Sequence, residues 1–89
     1  MIISLNLIDG HFSPQDAEHL LRDIIHAKMN HHKRRISEHV LNEEDVKHSE
    51  KRIKLLEEEL RKALVLVQTA SENDDIVDIH AKIIVEVGE

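Results

Sequence analysis

The sequence predicts an α+β protein: a long antiparallel helical hairpin flanked by N- and C-terminal β-strands that pair antiparallel, in the order β-α-α-β. Three observations carry this. Near the C-terminus, Val77, Ile79, Ala81, Ile83, Val85 and Val87 alternate with Asp78, His80, Lys82, Ile84 and Glu86, the period of a half-buried strand. Upstream, two helix-start signals, at Ser13 and at Asn42, each open a run of apolar residues spaced by three and four. The link between those two runs is only a residue or two, and so short a link forces the helices to be antiparallel neighbours.

The elements follow in order. Residues 3–9 read as a strand, with Ile3, Leu5 and Leu7 alternating with Ser4 and Asn6, and Asp9-Gly10 reads as the turn that ends it. Ser13-Pro14-Gln15-Asp16 opens a helix over 14–40: Ser13 caps, Pro14 suits the first helical position, and Asp16 can reach back to the cap. Its apolar stripe runs through Ala17, Leu20, Leu21, Ile24, Ile25, Met29 and Ile36, with Phe12 placed to staple against Ala17. The tip of the hairpin falls near Leu41. Asn42-Glu43-Glu44-Asp45 then opens a second helix over 43–70, with three acids where the helix dipole favours them. Val46, Ser49, Ile53, Leu56, Leu60, Ala63 and Val67 keep a 3-4 alternation, the narrow seam of a coiled coil. Acid-first pairs at i,i+4 (Glu43 and Lys47, Glu50 and Lys54, Glu57 and Arg61, Glu58 and Lys62) mark the opposite side as solvated. Ser71 to Asp75 breaks the helix, and the second strand occupies 76–87.

Length and composition bound the rest. Eighty-nine residues suffice for a single domain spanning 1–89. A chain so short buries only about 60% of its unfolded surface when it folds alone. With Phe12 as the one aromatic, there is little bulk to fill a core. The turn Ala63-Leu64-Val65-Leu66-Val67 is apolar nearly all round and needs cover on every side. The second strand, longer than the first, leaves an apolar edge. Both features predict a homo-oligomer, a dimer before other states, with Leu64, Val65, Leu66, Val67, Ile83, Val85 and Val87 as interface residues. An exposed edge awaiting an unidentified protein partner is the other outcome.

No cysteine is present, which excludes disulfides and thiolate chemistry and fits a reducing compartment. The first residues carry neither a basic leader nor a long apolar run, so no membrane association and a cytoplasmic location are expected. There is no nucleophile motif and no glycine-rich phosphate loop, so the chain is expected not to be an enzyme, with no catalytic residues and no cofactor.

Histidine is the unusual component. Protonating all eight would lift the net charge from −6 to about +2. Asp16, His19, Asp23 and His26 share one helical stripe, and carboxylate with imidazole three residues apart is how bundles present metal ligands. On the helical wheel this stripe lies beside the core face, toward solvent, where such residues are ordinarily just hydrated. A histidine-based metal or pH-responsive binder is therefore an alternative to the self-associating structural or adaptor protein that leads.

A third reading is a nucleic-acid accessory. It uses the cluster His31-His32-Lys33-Arg34-Arg35, with His39, near the hairpin tip, where Lys33, Arg34 and Arg35 are the anion contacts. Against it stand the net negative charge, the absence of an aromatic platform for bases, and the ordinary preference for cations at a helix C-terminus. His32 falls on the inner face between Met29 and Ile36, the place of a hydrogen-bonded interface residue; His48 beside Glu44 and His80 on the second strand read as solvated.

The run Asp9-Gly10-His11-Phe12-Ser13-Pro14, with Lys28-Met29-x-x-His32 further on, resembles small uncharacterised bacterial proteins of strand–helix–helix–strand plan. The resemblance covers most of the chain. It rests on a turn and a helix cap, and it implies a fold and no activity.

Overall fold

The computed structural model describes residues 1–38 and 42–88. It has the expected order: β1 (Ile2–Phe12), α1 (Pro14–Glu38), α2 (Glu43–Glu72) and β2 (Val77–Glu86), with β1 and β2 forming a two-stranded antiparallel sheet. The expected tip near Leu41, the end of the first helix at Val40, and His39 lie outside the described residues.

Both helix starts are capped as the sequence implies. Asp16 N–H donates to Ser13 Oγ (3.1 Å), and Asp45 N–H donates to the Asn42 side-chain oxygen (2.8 Å). At the far end α2 runs past Ala70. Asp75 N–H returns to the Ala70 carbonyl (2.8 Å) across Asp74, whose φ of 57° is left-handed. This is the closing bond of a helix C-terminus that usually uses glycine at that position.

The start of α1 lies beside the end of α2. Pro14 and Glu18 line one groove with Val67 and Ser71, and Arg22 and Met29 line another with Glu57 and Leu64. The seam between the helices holds most of what is buried: Ala17, Met29, Leu60 and Val67, with Ser49 the buried polar residue among those described. Among the described residues no large side chain is completely enclosed.

β1 is longer than the alternation of its first half suggests. The pairing runs Ile3 with Val85 and Leu5 with Ile83, then shifts between Asn6 and Ile8 and resumes as Ile8 with Ala81, Gly10 with Ile79 and Phe12 with Val77. Leu7 is thus an extra residue, a β-bulge that flips the parity of everything after it. Ile8, Gly10 and Phe12 stand on the same face as Ile3 and Leu5. Asp9-Gly10 is therefore strand and not turn: Gly10 has no positive φ, and a Cβ there would sit 3.9 Å from the Phe12 ring that lies over it. β1 and β2 match in length, so the overhanging edge expected from a longer second strand does not exist.

The two halves of the molecule meet over a small area. α1 touches both strands of the ribbon. A hairpin of about 45 Å and a ribbon of about 35 Å set end to end would far exceed the longest extent of 48 Å, so the ribbon turns aside. Two helices side by side need a width of only about 14 Å. The observed second extent is 32 Å, and the ribbon accordingly stands away from the hairpin at an angle.

Candidate functional site

An arm built this way is covered at its root and bare at its tip. At the root, Ile8, Phe12, Val77, Ile79 and Ala81 are half-buried on the face toward the helices. Further out, Ile3, Leu5, Ile83 and Val85 continue that face but are exposed, Val85 by 48%. The other face changes character along its length. At the root it carries Asp9, His11, Asp78 and His80; toward the tip it carries Ile2 and Ile84, both well exposed, among Ser4, Asn6, Lys82 and Glu86. The tip is therefore apolar on one face and mixed on the other, where two exposed isoleucines stand among polar and charged residues.

The polar root is a cross-strand checkerboard. Register sets Asp9 opposite His80 and His11 opposite Asp78. His80 Nδ1 donates to Asp9 Oδ1 at 2.7 Å, and His11 Nδ1 pairs with Asp78 Oδ1. The hydrogen bond and charge of Asp78, helped by Asp9, hold the His11 imidazole above its ordinary pKa. Sequence reading placed His80 in solvent and gave His11 no role. The pairs join residues from opposite ends of the chain, and only the register brings them together.

A second apolar patch lies on α2 where the ribbon departs. Leu66 is 71% exposed, Val65 58%, and Leu66 shares a shallow groove with Ala70, Ile76 and Val77. Of the expected interface residues, Val65, Leu66, Ile83, Val85 and Val87 are exposed and Leu64 half-exposed. Val67 is not available: at 6% exposure it belongs to the hairpin seam. A turn apolar on every side has one side turned inward, and Val67 is on it.

The metal-ligand stripe behaves as the helical wheel implies. Asp16, His19, Asp23 and His26 are all exposed, and among the described residues no group of three or more histidines or carboxylates is arranged to hold a metal ion. Lys33, Arg34 and Arg35 are exposed on α1, spread around the helix and not gathered on one face.

His32 is the exception among the histidines. It lies on the inner face, as its position between Met29 and Ile36 implies, but it is not hydrogen-bonded at Nε2, which is buried with no partner among the described residues. Burial lowers its pKa, and the positive charges of Lys28, Arg52 and Arg35 and the neighbouring His31 push the same way. On α2, Arg61 turns to Glu58 (2.6 Å) in place of the expected Glu57, and the pair holds the Glu58 carboxyl below its usual range.

No family model, curated protein or solved structure matches this chain. Among the described residues no helix is long and apolar enough to cross a membrane.

Proposed function

We propose that this chain is a non-enzymatic, self-associating structural or adaptor protein whose working form is a homodimer, located in the cytoplasm. The observation that supports the reading is the amount of surface left uncovered. A folded monomer of this mass should expose about 5,400 Å², whereas the chain exposes 7217 Å², with Ile2, Ile3, Leu5, Ile84, Val85 and Val87 among the exposed apolar residues. The surplus is about 1,800 Å² per chain, so a symmetric pair covering it would bury roughly 3,600 Å², in the range of obligate homodimers. The radius of gyration agrees, at 16.2 Å against about 12 Å for a compact chain of this length.

The reading is tested by mass in solution. Light scattering at micromolar concentration should give twice 10.3 kDa at pH 7.5 and again at pH 5.5. A well-folded monomer at both values overturns it. Val85→Asp supplies a second check. Half of each Val85 is already covered, so its remaining burial is worth about 1 kcal/mol per subunit, and a buried, unpaired carboxylate costs at least as much again. Two copies per dimer make about 4 kcal/mol, which is roughly a thousandfold in the dissociation constant. A dimer of unchanged affinity would show that the arm tip is not the interface.

A further inference from the structure

We infer that two copies join through the free edge of β2, forming a continuous four-stranded sheet with Ile84 of one copy opposite Ile84 of the other. The inference rests on the self-association reading and says which surface carries it.

Two edges of the ribbon are open, and they differ. β1 is interrupted by the bulge at Leu7, and bulges are a device by which natural sheets blunt an edge. β2 runs regularly from Val77 to Glu86 without bulge, proline or positive-φ residue. Its backbone orientation follows from its last contact with β1. Val87 N–H donates to the Met1 carbonyl (3.0 Å) and the Met1 ammonium reaches the Val87 carbonyl (3.4 Å), a reciprocal pair. Hydrogen-bonded and non-hydrogen-bonded pairs alternate along an antiparallel ladder. Odd-numbered residues of β2 therefore spend their main-chain groups on β1, and Lys82, Ile84 and Glu86 point theirs outward, unpaired.

Symmetry and side chains select the register. A two-fold axis pairs β2 antiparallel with itself, and directly opposed residues then share a face, so the axis must pass through a residue. With the axis at Lys82, two lysines oppose each other; at Glu86, two glutamates do; at Ala81, His80 meets Lys82. With the axis at Ile83, Lys82 faces Ile84, and at Val85, Glu86 faces Ile84. An axis at His80 leaves Val85 and Val87 outside the paired segment. With the axis at Ile84, Lys82 opposes Glu86 of the second copy, Ile83 opposes Val85 and Ala81 opposes Val87. Every charge there meets its opposite and every apolar residue meets another, and these cross-strand pairs are what stabilise a sheet. The same register sets the apolar faces of both ribbons on one side of the joined sheet, the side the helices occupy. It pairs tip with tip, residues 81–87 of one copy against 87–81 of the other, and leaves the root of each ribbon outside the paired segment.

Because the chain has no cysteine, Ile84→Cys introduces a single thiol. Cα atoms of a hydrogen-bonded antiparallel pair are about 5.5 Å apart, within reach of a disulfide. Mild oxidation of the purified, folded variant should convert it to a covalent dimer on non-reducing gels, while Leu66→Cys, away from the axis, stays uncrosslinked. Charge swaps give a second test without a new bond. Lys82→Glu alone and Glu86→Lys alone should each weaken the dimer about tenfold, and the double swap should restore it. If the protein is dimeric by light scattering but Ile84→Cys does not crosslink, or the single swaps leave affinity unchanged, the edge pairing is wrong and self-association stands by another surface. If the protein is monomeric, both fall together.

Discussion

Replacing His32 by leucine tests the account of the hairpin seam. The imidazole lies between Met29 and Ile36 with Nε2 buried and unpaired among the described residues. A buried polar atom without a partner costs about 1–3 kcal/mol. The ring is only partly covered, so the low end, about 1 kcal/mol, is the relevant figure. Leucine adds part of its full burial value, again about 1 kcal/mol. The variant should therefore gain about 2 kcal/mol, which for a chain of this size raises the melting temperature by roughly 10 °C. The pH dependence follows from the lowered pKa of His32. As pH falls below 6.5, the unfolded chain takes up a proton that the folded one resists, so wild-type stability declines on acidification and the leucine variant escapes that decline. The gap between the two proteins should thus widen from pH 8 to pH 5. Thermal melts followed by circular dichroism, at one fixed protein concentration because a dimer's melting point depends on it, give both numbers. A variant that melts below wild type at pH 8, or a gap that narrows in acid, refutes the placement of this histidine.

Other perturbations address the remaining elements. His11 has a raised pKa, so its contribution is complete below the unfolded value of 6.5 and is lost as pH rises through the folded value; Asp78→Asn should return the His11 titration, read by NMR, toward 6.5, and an unmoved titration denies the cross-strand pair. Asp74 adopts a left-handed backbone at the end of α2, and Asp74→Gly should stabilise the chain by up to about 1 kcal/mol; a loss of stability to denaturant would contradict that geometry. Leu60 is a large buried aliphatic of α2, and Leu60→Ala should cost about 2–3 kcal/mol, the lower part of the usual range because Leu60 itself keeps 8% of its surface exposed; urea melts showing under about 1 kcal/mol would mean the seam is not packed.

What was legible in the sequence was whatever depends on neighbours along the chain. Ser13 and Asn42 announce the helices because a cap bond spans only three residues, and both bonds are present. β2 was legible because every odd position from Val77 to Val87 is apolar, although Ile84 interrupts the polar series between them. β1 was legible only as far as Leu7: the bulge shifts the parity, Ile8 then follows Leu7 directly, and the pattern reads as ending where it changes phase. The checkerboard of Asp9, His11, Asp78 and His80 is a consequence of register between the two ends of the chain, and nothing local to either strand encodes it. Arg61's choice of Glu58 over Glu57 is illegible for another reason, since both spacings are allowed on a helix and the difference between them is small.

The composition of the ribbon's outer face bears directly on where association acts. In the isolated chain this face meets only solvent along its whole length: His11 and His80 at the root are exposed, and so are Ile2 and Ile84 at the tip. Nothing in the monomer distinguishes the two halves, yet only toward the tip does the face carry aliphatic residues, Ile2 and Ile84, set among Ser4, Asn6, Lys82 and Glu86. A two-stranded ribbon on its own is marginal in water, and isoleucine on the second face adds nothing to a fold that never buries it. On the proposed edge pairing Ile84 would gain an apolar neighbour that the single chain lacks, the Ile84 of a second copy, and that contact would lie at the tip. In the joined sheet centred on Ile84 that one apolar contact would be flanked on each side by Lys82 opposite Glu86, so neighbours across the joint would match along the whole outer face. The charged root then remains outside the joint, with its two histidine–aspartate pairs still open to solvent.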